Sequence, residues 1–146
     1  MRLLFVYPEF GAEIRWSELL ALGVASAALK REGHQVELLY LKHPSQIALL
    51  DSLAAQPSPS VAFAYLAWDQ WPAFRSAARA IRRALPKTLM VAGGPYPMLD
   101  PDEVIEEPAI HAICLGECER PLADLAARLE SHEKVMRSPS FWIKSR

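Results

Sequence analysis

The sequence lacks three features that mark large classes of protein: an excess of charge, a long apolar run and a set of cysteines. Its formal net charge is −1, so there is no basic surplus to hold nucleic acid phosphates. No apolar run reaches the ~20 residues that a membrane span needs. The opening LLFVYPEF is too short and too soon interrupted for a secretory signal. We therefore expect the chain to bind neither nucleic acid nor membrane.

Cysteine is scarce, with only Cys114 and Cys118 in 146 residues. Two such thiols do not form a disulfide framework, so a reduced, cytoplasmic setting is expected. No third cysteine completes a CxxxCxxC motif, so no iron–sulfur cluster is expected in this chain, and zinc would need further ligands. We interpret both thiols as structural.

Signatures of catalysis and of phosphate binding are missing as well. Neither GxGxxG nor GxxxxGK[ST] occurs. Asp69 is placed like the phosphoacceptor of a receiver domain, but the first strand ends in YPEF without an acidic pair and the fifth ends in LGEC without a lysine. The four histidines are scattered: His34, His43, His111 and His132. No nucleophile or acid–base set is evident, so we predict no catalytic residue and no metal ligand.

What the sequence does contain is a regular alternation of short apolar runs and helical patterns. The apolar runs predict strands over 2–7, 35–41, 60–66, 88–94 and 110–117. The segments between and after them predict helices over 17–32, 45–54, 71–85, 101–107 and 120–131. Five alternations favour one α/β domain with a parallel sheet covered by helices on both faces.

The loops after the strands are where such a sheet binds its ligands. Gly93-Gly94 lies between the fourth strand and a proline turn, and two explanations are open. Either the turn is tight, or a ligand lies against a backbone that has no Cβ. Trp68 and Trp71 leave a similar choice, since they either cover the helix 71–85 or face a large apolar ligand or partner.

Taken together, these stretches resemble the N-terminal cobalamin (vitamin B12)-binding domain of cobalamin-dependent radical S-adenosylmethionine (SAM) enzymes. The strongest likeness is in VAGGPYPMLDPDEVIEEPAIHAICLGECERPLADLAARL. It is similar to the family's glycine pair, Pro-x-Pro, acidic helix and strand ending in Gly-Glu-x-Glu. ALGVASAALKREGHQVELL is similar to the family's first helix and second strand. The resemblance covers about residues 1–131, and the tail with SPSFWIKSR is similar to a linker that leads to a radical SAM barrel.

The resemblance implies a flavodoxin-like (Rossmann-like) three-layer sandwich with a five-stranded parallel sheet and a corrin ring across its C-terminal edge. Residues 1–131 would form the cobalamin-binding domain. Residues 132–146 would be a C-terminal linker toward a radical SAM domain that this chain lacks and that would act in cis or in trans.

The resemblance also implies which residues contact cobalamin. They are Pro8, Glu9 and Phe10 under the corrin, Leu66, Ala67 and Trp68 at the tail or corrin, Gly93, Gly94 and Pro95 at the nucleotide tail, and Gly116 and Glu117 on the far side. The family's Asp-x-His-x-x-Gly motif is missing, so cobalamin would be held base-off without a protein histidine on cobalt. The Ser-x-Leu motif is replaced by Ala64-Tyr65-Leu66, which removes one hydroxyl contact.

Two functions follow from these expectations. The first is a cobalamin-binding module of a radical SAM enzyme, with a methyltransferase-type parent and no catalysis by this chain alone. The alternative is a cofactor-free flavodoxin-like scaffold that docks a partner through Trp68 and Trp71. An open groove above Gly93-Gly94 favours the first, and a groove filled by Trp68 or Tyr96 favours the second.

Overall fold

A computed structural model of the chain describes residues 1–9, 15–43, 46, 57–133 and 140–144. The strands are β1 (Arg2–Pro8), β2 (Gln35–Leu41), β3 (Val61–Tyr65), β4 (Leu89–Gly93), β5 (Ala112–Cys114) and β6 (Phe141–Ile143). The helices are α1 (Trp16–Arg31), α2 (Trp71–Ala84), α3 (Pro95–Leu99), α4 (Pro101–Glu106) and α5 (Glu119–Glu130). The helix predicted over 45–54 lies outside the described residues apart from Gln46, and so does Phe10.

The strands form one sheet in the order β2-β1-β3-β4-β5-β6. The first five are parallel to one another, and their order is that of the flavodoxin-like doubly wound fold. The order reverses between β1 and β3, and in sheets of this type such a switch point opens a crevice at the C-terminal edge. The predicted fold class is confirmed.

The predicted number of strands is wrong, because a sixth strand joins the sheet. β6 pairs antiparallel with β5, with Ile113 opposite Trp142 and Cys114 opposite Phe141. It comes from the tail that we expected to be a linker. Three residues are too few to show a period of two, and their partner strand is distant in sequence. The pairing protects β5, which would otherwise expose a row of backbone groups at the sheet edge.

Two apolar layers hold the helices on the sheet. Alternate residues of β1 point to opposite faces: Leu4 and Val6 pack in the cluster that contains α2 and α4, whereas Leu3, Phe5 and Tyr7 pack in the cluster that contains α1 and α5. Burial on both faces explains why β1 is a continuous apolar run, as expected of a central parallel strand. In the part of the chain that the structure describes, no helix is long and apolar enough to cross a membrane.

Candidate functional site

The C-terminal edge of the sheet brings the described site residues together at the ends of four strands, β1, β3, β4 and β5. Pro8 pairs with Leu41 at the end of β1, and Tyr65 pairs with Gly93 at the ends of β3 and β4. Strands β3, β4 and β5 are neighbours in the sheet, so the loops after them start side by side. Spacing along the chain does not show this proximity, because it depends on the strand order.

Both glycines of the pair are required by the protein's own packing. A Cβ on Gly93 would lie 2.7 Å from Phe63 Cε2 and 2.9 Å from Cys118 Sγ. Gly94 has a φ of 94°, and a Cβ there would lie 2.9 Å from the backbone N and O of Leu66. The tight-turn explanation is therefore sufficient for both positions. Contact between this backbone and a ligand stays a prediction.

The turn after Gly94 leads directly into a helix, where a proline turn was expected. Pro95 occupies the first turn of α3, the position at which a missing N–H costs least. The Leu66 N–H donates to the Gly93 carbonyl at 2.9 Å, and the Tyr96 N–H donates to the Leu66 carbonyl at 3.0 Å. These two bonds clamp the end of β3 to the start of α3, so the loops after β3 and β4 form one unit.

Only some of the predicted contact residues are accessible at this edge. Pro95, Gly116, Glu117 and Trp68 are exposed, and 69% of Trp68 is open to solvent. The remaining described ones are less accessible: Pro8, Leu66, Ala67, Gly93 and Gly94 are buried, and Glu9 is half-buried. The Leu66 side chain packs in the core layer with α2.

Trp71 does not share a docking surface with Trp68, so that part of the alternative hypothesis is wrong. Trp71 begins α2 on the helix face that packs on the sheet, and it is 2% exposed. Its ring lies 6.4 Å from that of Phe74 and 5.7 Å from that of Tyr96, between centroids. Tyr96 packs against the same apolar cluster, and its hydroxyl donates a hydrogen bond to Glu103.

A cavity of about 290 Å³ opens beside the glycine turn, between α1, β3 and the loop from β5 to α5. It is lined by Ala21, Ala25, Phe63, Tyr65, Met98, Gly116, Glu117, Cys118 and Glu119. Two of these residues, Phe63 and Cys118, are the ones that also contact the Cβ position of Gly93. The volume is near the lower end of small-molecule sites. The glycine turn therefore forms part of the support behind the cavity wall.

A buried polar network that the sequence did not reveal lies at the start of α1. Glu18 is buried, and it accepts hydrogen bonds from Tyr7 Oη at 3.0 Å and Gln70 Nε2 at 3.3 Å. Arg15 reaches both Glu18, at 3.2 Å, and Asp69, at 2.9 Å. The hydrogen bonds from Arg15 lower the pKa of Asp69, while burial and the bond to Glu18 raise the pKa of Tyr7. The network joins α1 to the loop after β3 across the crevice.

No sequence signal identified this network, because its members are ordinary residues far apart in the chain. Asp69 was noticed only as a strand-end acid, and Gln70 follows it between two tryptophans. The apolar surroundings of Glu18 in helix α1 were the one available hint, since a carboxylate among apolar residues is rarely buried without partners.

The two cysteines are free, buried thiols, and Cys118 lines the cavity. Their burial agrees with the structural role predicted for them. A hydrogen bond to Cys118 and burial raise the pKa of the Cys114 thiol. In the described part of the chain, no group of three or more His, Cys, Asp or Glu side chains could hold a metal ion.

Fold and cavity together define a doubly wound α/β domain with a cavity at the C-terminal edge of its sheet. A family model described as B12 binding domain matches residues 18–126. The chain belongs to this family of B12-binding domains, as its motifs predicted, and the predicted role as a cobalamin-binding module is confirmed at this level. None of the curated protein sequences matches the chain significantly.

Solved structures of two radical SAM enzymes share the fold. TsrM from Kitasatospora setae, a radical S-adenosylmethionine methyltransferase with cobalamin and a [4Fe-4S] cluster bound, superposes with a TM-score of 0.86 at 22% identity. The superposed region covers 99% of this chain and 29% of the TsrM chain. OxsB, a cobalamin-dependent S-adenosylmethionine radical enzyme with aqua-cobalamin bound, has a TM-score of 0.73 at 21% identity, over 96% of this chain and 20% of its own. The chain thus spans less than a third of either relative.

Proposed function

We propose that this chain binds cobalamin base-off, with the nucleotide base in the cavity and the corrin ring across the C-terminal edge of the sheet. The observation that carries the proposal is the cavity itself, which opens at that edge in a chain of the B12-binding family. Its deepest walls, Phe63, Ala25 and Cys118, are buried and apolar, and they suit a flat aromatic base.

The loops around the cavity would hold the rest of the cofactor. The glycine turn would border the nucleotide tail, and Gly116 has open space on its Cβ side, so a ligand can approach its backbone. Trp68 would lie against the corrin, and Glu9 is held near the end of β1 by a hydrogen bond from Tyr40 Oη. Bound cobalamin supplies a cobalt-carried methyl group. The chain's own residues would orient the ring and exclude water from beneath it.

We propose that the cobalt is not ligated by a protein histidine. The loop after β1 begins with Pro8-Glu9 and carries no Asp-x-His-x-x-Gly motif. A base held by the cavity residues would not ligate the cobalt, so the form expected is base-off without a replacement ligand.

We further propose that the exposed face of the bound corrin meets a radical SAM domain, in cis or in trans, in a methyltransferase-type enzyme of the cytoplasm. The relatives with this fold are three to five times longer than the shared region. Large apolar side chains are exposed near the edge of the sheet: Trp68, Met98 and Leu99. Exposed apolar side chains of this size are typical of a surface that another domain covers.

The test is a titration of the purified chain with hydroxocobalamin and methylcobalamin, followed by visible spectroscopy and gel filtration. Retention of one equivalent with a base-off spectrum is expected. Ala21→Phe, which fills the mouth of the cavity, should reduce retention, whereas Ala27→Phe on the exposed side of the same helix should not. A base-on spectrum of retained cobalamin would contradict the proposed mode of binding.

The cofactor-free scaffold remains the second candidate, because one observation favours it. The glycine pair is explained by packing alone, so its presence does not require a ligand. Absence of retention at tens of micromolar cobalamin, with the chain folded, would favour this function and would leave Trp68 as the centre of its docking surface.

A further inference from the structure

Resting on the proposed function, we propose that the cavity selects among corrinoids by the base of their nucleotide. It favours an apolar base, of the benzimidazole or phenol type, over a purine. The cofactors of this class share the corrin ring but differ in this base. The part of the ligand that distinguishes them is therefore the part that would enter the cavity.

The inner wall of the cavity offers few polar atoms. Phe63, Ala25 and Cys118 are all buried and contribute carbon and sulfur atoms. Ala21 and Met98 extend this apolar surface toward the mouth. A methylated benzimidazole or a cresol would bury its apolar edge here and would gain free energy in proportion to the area removed from water.

The polar groups of the cavity stand at its rim. Glu117 is exposed and Glu119 is half-buried, and both belong to the loop and first turn that lead into α5. The Gly116 carbonyl already accepts a hydrogen bond from the Cys118 thiol at 3.5 Å. Both carboxylates can be reached by solvent, so neither needs a ligand to satisfy it.

A purine brings more polar atoms than this lining can satisfy. Its exocyclic amine can donate to the carboxylates of Glu117 and Glu119 at the rim, but its ring nitrogens need hydrogen-bond donors, which a carboxylate cannot supply. Among the described residues that line the cavity, Tyr65 carries the one side-chain hydroxyl. A buried polar group without a partner typically lowers affinity about 10-fold to 100-fold. The purine form should therefore bind more weakly by at least the lower figure.

The experiment compares the methyl-cobalt forms of the corrinoids, in which the methyl group weakens any bond between cobalt and the base, so that coordination contributes little to the comparison. Dissociation constants are measured by equilibrium dialysis for these forms of p-cresolylcobamide and adeninylcobamide. Cobinamide, which has no nucleotide, is the third ligand. We expect p-cresolylcobamide to have the lowest dissociation constant of the three. The dissociation constant of adeninylcobamide should be at least about 10-fold higher than that of p-cresolylcobamide. Equal or tighter binding of the adeninyl form would overturn the proposal.

A pair of variants establishes whether the base is in the cavity. Ala21→Leu narrows the lining, and Ala27→Leu adds the same atoms to the exposed side of α1. We expect Ala21→Leu to weaken p-cresolylcobamide while cobinamide is unaffected, and Ala27→Leu to change neither. Equal weakening of both ligands by Ala21→Leu would place the base elsewhere and overturn the inference.

The two levels of the proposal fail in different ways. If the corrinoids bind with equal affinity, selection by the base is wrong and cobalamin binding stands. If none of them is retained by a chain that unfolds cooperatively in urea, both the selection and the proposed function are wrong.

Discussion

At the scale of single residues, the glycine turn has two possible explanations, because packing in a tight turn and contact with a ligand both favour glycine. A Cβ on Gly93 would meet two side chains, and a Cβ on Gly94 would meet backbone atoms that cannot move aside. A φ of 94° with a ψ of −172° also falls in a region that is almost restricted to glycine. Because Gly93 packs against Phe63 and Cys118, which line the cavity, the structural role of this turn also affects the shape of the cavity.

Gly94→Ala should therefore destabilise the fold by at least about 2 kcal/mol, through backbone strain and contact with Leu66. The free energy of unfolding is measured by urea denaturation. Gly23→Ala is the matched control, because Gly23 lies in helix α1 with nothing within 4 Å of its Cβ position. That variant should gain roughly 0.5–1 kcal/mol. A loss below about 0.5 kcal/mol for Gly94→Ala would show that the turn adapts.

At the scale of secondary-structure elements, the buried carboxylate of Glu107 connects segments that are not neighbours in the sheet. Glu107, just after α4, has a fully buried side chain and accepts hydrogen bonds from Arg79 at 2.9 Å and Arg75 at 3.3 Å, both on α2. Its own carbonyl accepts from Lys144 Nζ at 3.1 Å, just after β6. The helix α2, the α4–β5 connection and the tail thus meet at one residue.

Glu107→Gln should cost about 1–2 kcal/mol at pH 7, because it removes charge-assisted hydrogen bonds to a buried carboxylate while the half-exposed Arg75 and Arg79 stay solvated. Burial alone would raise the pKa of Glu107, but the hydrogen bonds from Arg79, from the Ala109 N–H and from Arg75 hold it below its ordinary value of 4.5. The folded chain therefore releases this proton more readily than the unfolded one. The stabilisation is present above about pH 4.5 and is lost as the pH falls through the folded value.

Urea denaturation between pH 7 and pH 3 checks this prediction. The loss of stability toward acid should be smaller in Glu107→Gln than in the parent chain. Glu106→Gln, at the exposed neighbouring position, is the control and should keep the parent slope. An unchanged acid slope in Glu107→Gln would assign the pH dependence to other carboxylates, such as Asp69.

At the scale of the whole molecule, three features lie at the C-terminal edge of the sheet: the cavity, the glycine turn and a set of exposed apolar side chains. Strand order alone places them together, since β3, β4 and β5 end side by side. The network around Glu18 joins α1 to the loop after β3 at this same edge. Hydrogen bonds thus hold the loops after β3 and β4 together, and such preorganisation would reduce the entropy lost on binding a ligand.

Trp68→Ala should change the affinity for cobalamin without changing the stability of the fold. Trp68 is 69% exposed, so its removal should change the free energy of unfolding by less than about 0.5 kcal/mol. Loss of its contact with the corrin should weaken cobalamin roughly fivefold or more, as measured by equilibrium dialysis. Trp142→Ala, on the strand at the far edge of the sheet, should leave the affinity unchanged. Unaltered cobalamin affinity in Trp68→Ala would remove Trp68 from the site.

Local patterns in the sequence account for most of the elements but for less of the site. The apolar runs at 2–7 and 35–41 and the amphipathic helix at 71–85 are found within one or two residues of the predicted bounds. Periodicity did not predict α3, because a segment that reads PYPML has turn residues at helical positions. The sequence left open whether Trp71 packs under its helix or shares a surface with Trp68, and the structure places it in the core.

The sequence by itself determined the alternation of strands and helices, the two-faced burial of β1 and the family to which the chain belongs, because these depend on hydrophobic period and short motifs. Only the tertiary structure decided the antiparallel sixth strand, the buried partners of Glu18 and Glu107, and the cavity beside the glycine turn. Each of these depends on contacts between residues far apart in the chain, whose distances are set by how strands and helices pack rather than by any local preference.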